Sequence, residues 1–174
     1  MVTSDKANQN FAPIQEKSER SFITIRHLQL LSIIFGLAVS GYLSYLKLTD
    51  VPSACIQGGP FNCNVVLNSV YSEIAGIPIA YLGFLTYVVI GVVILFENRV
   101  GFFQEYGRLI TFGVGLFAWM FSMWLVFVQF VLLQALCPWC LSHEANFTIL
   151  FGFICYRLYK DMTSEEDYEA EALA

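Results

Sequence analysis

Four mainly apolar stretches, roughly His27 to Thr49, Pro78 to Phe96, Arg108 to Leu133 and Cys137 to Tyr159, dominate this 174-residue chain and leave few folds open to it. Each approaches or exceeds the roughly 20 residues a helix needs to cross the hydrocarbon core of a bilayer. In lipid, backbone N–H and C=O groups must be satisfied internally, so such stretches predict helices and not open sheets. Composition agrees, with 57% of residues hydrophobic and only 13% charged, which excludes an ordinary soluble domain. The expectation is therefore an all-α fold: an integral membrane four-helix bundle over residues 27–160, with helices at about 27–49, 78–96, 108–133 and 137–159. An extended outer loop, 50–77, joins the first two helices. A polar N-terminal tail, 1–26, and an acidic tail, 161–174, complete the division.

Net charge, −5 overall, misleads, because the stretch from Asp161 to Ala174 holds six carboxylates and no basic residue. That stretch reads as a solvated, disordered end. Elsewhere Lys and Arg set the orientation, since cytoplasmic segments collect them. Lys6, Lys17, Arg20 and Arg26 precede the first helix, Arg99 and Arg108 flank the link between the second and third, and Arg157 with Lys160 closes the fourth. Both termini are then expected in the cytoplasm, in a multi-pass protein of the plasma membrane. Lys47 is the exception, near the outer end of the first helix, where its stem can reach the headgroups. The first 26 residues show no apolar core with a cleavage site, so the first helix is expected to act as an uncleaved anchor. There is no internal repeat and no nucleic-acid motif. The triplet Asn146-Phe147-Thr148 matches a glycosylation acceptor but falls inside the fourth span, out of reach of the modifying machinery.

Two cysteine pairs carry the chemistry: Cys55 with Cys63, and Cys137 with Cys140. The charge distribution puts both on the non-cytoplasmic side, where disulfides form and persist. In Cys137-Pro138-Trp139-Cys140 the spacing allows a small reversible disulfide, and Pro138 suits the first turn of a helix. The motif should therefore open the fourth helix, where free N–H groups and the macrodipole favour the reactive thiolate. Cys55 and Cys63 bracket a segment whose Gly58-Gly59-Pro60 turn gives bending freedom without regular structure. Such a pair can exchange with an outside protein through one sulfur and with the second pair through the other. Two readings compete with redox exchange. A tetrahedral zinc site is disfavoured by the seven residues between Cys55 and Cys63 and by the other pair's place at a helix start, so no metal is expected. A purely structural loop disulfide is the stronger rival. Cys155 lies fifteen residues beyond Cys140, about 22 Å deeper at helical rise, and reads as a small packed hydrophobe.

These residues resemble the vitamin K epoxide reductase family, in particular its bacterial-type members that drive disulfide formation with a quinone. The resemblance runs from the first helix through the fourth. It rests on Cys55 and Cys63, on Asn64-Val65-Val66-Leu67-Asn68-Ser69, on Gly76-Ile77-Pro78 before the second helix, and on Cys137-Pro138-Trp139-Cys140. It implies a relay in which Cys55 meets a partner protein, Cys63 exchanges with Cys137, and Cys140 meets the quinone ring. Ser69 matches a family serine or threonine near the active centre, where a hydroxyl can bond a thiolate or a quinone oxygen; a helix cap is its alternative role. Where animal members place a tyrosine one turn after the second motif cysteine, this chain has Glu144. Glu144 and His143 share a helix face with Cys140 and are candidates to serve the quinone, or else sit wet at the interface. Family members often carry a fused thioredoxin-like domain; without one, the partner is expected to be a separate thioredoxin-like (DsbA-like) protein.

The expected activity is thus that of a membrane oxidoreductase. It takes electrons from an extracytoplasmic dithiol and passes them through Cys55/Cys63 and Cys137/Cys140 to a quinone of the menaquinone, phylloquinone or ubiquinone type. A potential gap of about 30 mV is worth 1.4 kcal/mol for a two-electron couple, so an oxidising quinone can drive even an oxidising partner back to its disulfide. Thiol-driven reduction of vitamin K epoxide is the main alternative, and a non-enzymatic protein with a loop disulfide the next. Trp119, Trp124, Phe112, Phe117 and Phe121 of the third span can wall a quinone pocket or simply pack.

Overall fold

The computed structural model describes residues 4–49, 55, 60–97 and 106–172. It is mostly helical, and three of its helical stretches, Thr24–Thr49, Ile79–Phe96 and Gly107–Leu132, are long and apolar enough to cross a membrane. The first belongs to α1, which runs Ser4–Thr49 and so begins well before the expected His27. Apolarity marks where a helix enters lipid, but Lys6, Gln15, Glu16 and Lys17 are helix formers too, and the helix continues through them. The second is α3 (Ile79–Phe96), and the third joins α4 (Gly107–Phe127) to one wider, π-helical turn over Val128–Leu132. The fourth long helix, α5 (Pro138–Ala172), passes the expected end at Tyr159 and carries the acidic stretch, read as disordered, as helix to Ala172. Glu and Ala, with no Gly or Pro to interrupt, account for that extension. Its polar residues His143, Glu144, Asn146 and Arg157 dilute its apolar character, and it is not among the three stretches above.

The outer loop, expected without regular structure, has three short elements among its described residues. These are α2 (Cys63–Leu67), a 3-10 turn at Val70–Ser72, and a small hairpin of β1 (Glu73–Ile74) against β2 (Ile77–Pro78). The hairpin corrects the all-α expectation. Ile74 pairs with Ile77, which leaves Ala75 and Gly76 as a two-residue turn with φ of 52° and 80°. Positive φ at both turn residues matches the right-handed twist of the strands, and glycine takes it without strain. Two-residue strands are too short to show an alternating pattern, so the hairpin was not legible in advance. Gly58 and Gly59 lie outside the described residues.

Side chains from the four long helices meet in one core. Ile33 of α1, Tyr87, Ile90 and Ile94 of α3, and Phe147, Leu150 and Ile154 of α5 form its buried centre, with Phe112, Ala118 and Trp119 of α4 packed against it. A polar bridge runs through it: Asn146 Nδ2 donates to the Ser32 carbonyl and to Tyr87 Oη at 3.0 Å each, and Ser32 Oγ donates to Asn146 Oδ1 at 2.9 Å. Inside an apolar bundle such satisfied groups fix which helix faces meet. Lys47 is held at one end of α1, where Nζ bonds the Leu67 carbonyl at 3.1 Å and Glu73 at 3.0 Å. It ties the loop elements to the helices and does not simply reach for headgroups.

Candidate redox centre

Cys137 stands directly before α5 and acts as its N-cap. Pro138 takes the first helical position, where a missing N–H costs nothing, and the Cys140 N–H donates to Cys137 Sγ at 3.3 Å. That is the bond a serine or threonine cap makes to the third helical residue, with sulfur in place of oxygen. The two sulfurs are 2.7 Å apart, Cys140 donating to Cys137. Oxidation therefore needs little movement to reach a bond of about 2.05 Å. Cys137 is fully buried, and its own N–H donates to Gln129 Oε1 at 3.1 Å. Gln129 lies in the π-helical turn, and the Ala135 N–H returns to its carbonyl at 3.2 Å, so this turn fixes the approach to the motif.

The loop pair is closed as a disulfide between Cys55 and Cys63, with Cα atoms 6.2 Å apart. Cys63 opens α2, whose first turn is capped by Asn62 Oδ1 accepting from the Val65 N–H at 3.2 Å. A parallel bridge pairs Phe61 with Leu136: the Asn62 N–H donates to the Leu136 carbonyl at 3.0 Å, and the Leu136 N–H to the Pro60 carbonyl at 2.8 Å. Cys63, 1% exposed, lies two positions after Phe61, and Cys137 lies one position after Leu136. Backbone pairing thus brings a loop cysteine and a helix-cap cysteine, 74 positions apart in the chain, to one end of the helices.

Cys140 faces a different neighbourhood. It lines a largely apolar cavity of about 440 Å³ together with Ser69, His143 and Glu144, the residues singled out for a quinone, and Phe117 and Phe121 line it too. Phe112 and Trp119 instead stack on Phe151, and Trp124 on Phe127. Ser69 Oγ donates to the Val66 carbonyl at 2.8 Å and makes no cap bond to the 3-10 turn it precedes. Glu144 is 7% exposed and so is not a wet interfacial group. His143 Nδ1 lies 3.6 Å from Glu144 Oε1, while His143 Nε2, Glu144 Oε2 and Ser122 Oγ have no hydrogen-bond partner among the described residues. Ser122 also lines the cavity. A Cβ on Gly83 would come within 3.3 Å of His143 Nε2, so the glycine makes room for the imidazole.

A cavity in the size range of small-molecule sites, apolar but with three orphaned polar atoms and a thiol, has room for a small apolar molecule with polar substituents. Ser122 and Gln129 went unnoticed in the sequence, although lone polar residues within a 26-residue apolar stretch were the available signal. Cys155 is not among the residues that line the cavity.

The family model described as the vitamin K epoxide reductase family matches residues 28–155, a span that includes both cysteine pairs and the cavity.

Proposed function

This chain belongs to the vitamin K epoxide reductase family, whose members are membrane oxidoreductases generally linked to quinones, and we propose that it is a bacterial-type member that oxidises protein dithiols at the expense of a quinone. The four long helices span the plasma membrane with both termini in the cytoplasm, and the cysteine end faces the periplasm or exterior. The observation that supports this reading is the Phe61–Leu136 backbone pairing, which lays the segment that carries Cys63 against the segment that carries Cys137, while Cys140 lines the cavity.

In the proposed sequence, a thiolate of an extracytoplasmic thioredoxin-like protein attacks Cys55, and its second thiol resolves the mixed disulfide. The partner leaves oxidised, and Cys55 and Cys63 become thiols. Cys63 then attacks Cys137 of the oxidised Cys137–Cys140 pair and releases Cys140, after which Cys55 closes on Cys63. Each exchange conserves two electrons and two protons, so the helix pair ends reduced. The N-cap position supplies Cys137 with a backbone donor and Gln129 holds its backbone, so the sulfur stays in place through both exchanges. A bound quinone would supply the oxidising power, accepting two electrons and two protons. His143 and Glu144 would hold it against Cys140, with Ser69 lining the same largely apolar site.

The double variant Cys55→Ala/Cys140→Ala tests the relay, because it removes both residues that resolve the central intermediate. Peptide mapping should find a Cys63–Cys137 disulfide accumulating in the oxidised protein. Free thiols at both positions would count against the relay. Assays of the parent protein with a menaquinone or ubiquinone analogue, and separately with a quinone epoxide, separate the disulfide-forming direction from the reductive one.

A further inference from the structure

Glu144 lies one helical turn beyond Cys140, lines the same cavity, and is more than nine-tenths buried. One of its carboxylate oxygens is 3.6 Å from His143 Nδ1, and the other has no partner among the described residues. A buried carboxylate left half-satisfied weakens a fold, and a structural role would select against it. A carboxylate that accepts and returns a proton needs that open oxygen. His143 is differently placed: its ring packs edge-on against Tyr87 with centroids 5.4 Å apart, and α3 approaches its Nε2 closely at Gly83. Packing thus holds the imidazole, and the imidazole lies beside one oxygen of the carboxylate.

We propose that Glu144 is the proton-transfer group between Cys140 and the quinone, with His143 as its positioning residue. The inference rests on the reading that Cys140 meets the quinone. Closing the Cys137–Cys140 disulfide breaks two S–H bonds, forms one S–S bond, and releases two electrons and two protons, which an acceptor of the quinone class takes up in becoming a quinol. With the cavity occupied and the carboxylate turned to within hydrogen-bond reach, Cys140 Sγ gives its proton to Glu144 and becomes the nucleophilic thiolate. Glu144 then delivers that proton into the cavity. The Cys137 proton follows across the sulfur–sulfur contact and the same carboxylate, so Glu144 ends the cycle as it began.

The first test needs no quinone. Infrared difference spectra between the dithiol and disulfide forms of the purified full-length protein should show a carboxyl band that changes on reduction. The band should vanish in Glu144→Gln, move in Glu144→Asp, and shift without vanishing in His143→Phe. With a soluble quinone analogue, Glu144→Gln should lose on the order of 100-fold in kcat, at the low end of general acid–base effects, with KM little changed, and Glu144→Asp should recover much of the loss. A carboxyl band indifferent to Glu144→Gln, or a kcat within about threefold of the parent, would overturn the proton role. Glu144→Gln added to Cys55→Ala/Cys140→Ala should still trap Cys63–Cys137, which shows that the fold and the exchange step survive. Failure to trap in the double variant itself would overturn the relay, and the proton role with it.

Discussion

Glu97 and Glu144 are buried to nearly the same degree, 6% and 7% exposed, yet they are treated oppositely. Glu97 accepts from Arg108 Nε at 3.1 Å and, through both oxygens, from Arg157 at 3.0 Å; Arg157 also donates to Gln29 Oε1 at 3.1 Å. Glu144 has one loose histidine contact and an orphaned oxygen. Glu144 and Arg157 stand thirteen residues apart on α5, about 20 Å at helical rise, so the contrast distinguishes the two ends of the bundle. The arginine end satisfies both oxygens of its buried carboxylate, Arg157 through Nη2 and Arg108 through Nε, and leaves only Arg157 Nε without a partner among the described residues. The cysteine end leaves polar atoms open around a cavity. Unmet hydrogen-bonding capacity beside a thiol points to chemistry, and met capacity points to architecture.

The largest expected effect falls at the cysteine end. Cys140→Ala should abolish quinone reduction altogether while loop exchange with Cys137 survives, as trapped mixed disulfides would report. Quinone turnover retained in that variant would require a different nucleophile and would dissolve the contrast between the ends. Next comes Glu97→Ala, which leaves the guanidinium of Arg157 buried without its counter-charge and should cost about 3–5 kcal/mol. Chemical unfolding in detergent micelles would measure it, and the folded fraction should still exchange Cys63 with Cys137. Arg108→Ala should cost little, about 0–1 kcal/mol, because that side chain is 42% exposed. Glu144→Gln should leave stability unchanged or raise it, since it removes a charge whose partners are incomplete. A loss comparable to that of Glu97→Ala would place Glu144 among the structural residues.

Much of this division was legible beforehand, and the reason it stopped where it did is physical. Three of the spans follow from apolar length, and both cysteine pairs from residue type and spacing. What sequence alone does not carry is pairing across distance. Phe61 and Leu136 have no side-chain pattern that announces a backbone bridge, and Glu97, just past the end of α3, lies sixty positions from Arg157 on α5. Lys47 was read alone because its partners, Glu73 and the Leu67 carbonyl, belong to loop elements too short for any periodic signal. That His143 and Glu144 share a cavity with Cys140 could be anticipated because i+3 and i+4 spacing is a local rule on a helix. Ser122 had no such reference point; only the cavity connects it to Cys140.

Two smaller effects sharpen the comparison within the cysteine end. Gln129→Ala removes the acceptor of the buried Cys137 N–H and should cost about 1–3 kcal/mol, the penalty of an unmade buried bond. Because Gln129 holds the backbone of Cys137, trapping of the Cys63–Cys137 disulfide should also slow, and a variant that loses stability while trapping at the parental rate would make Gln129 architectural.

Ser122→Ala is expected to have the smallest effect and is the more discriminating variant. Its hydroxyl bonds nothing among the described residues, so removing it should leave stability within about 0.5 kcal/mol of the parent. If the hydroxyl instead donates to a carbonyl oxygen of a bound ring, its loss should raise KM for the quinone analogue several-fold, in line with a net hydrogen bond of about 1 kcal/mol, with kcat nearly unchanged. An unchanged KM would mean that the orphaned atom on α4 lies outside the ring's reach, and the quinone would then be held by α5 and the loop alone.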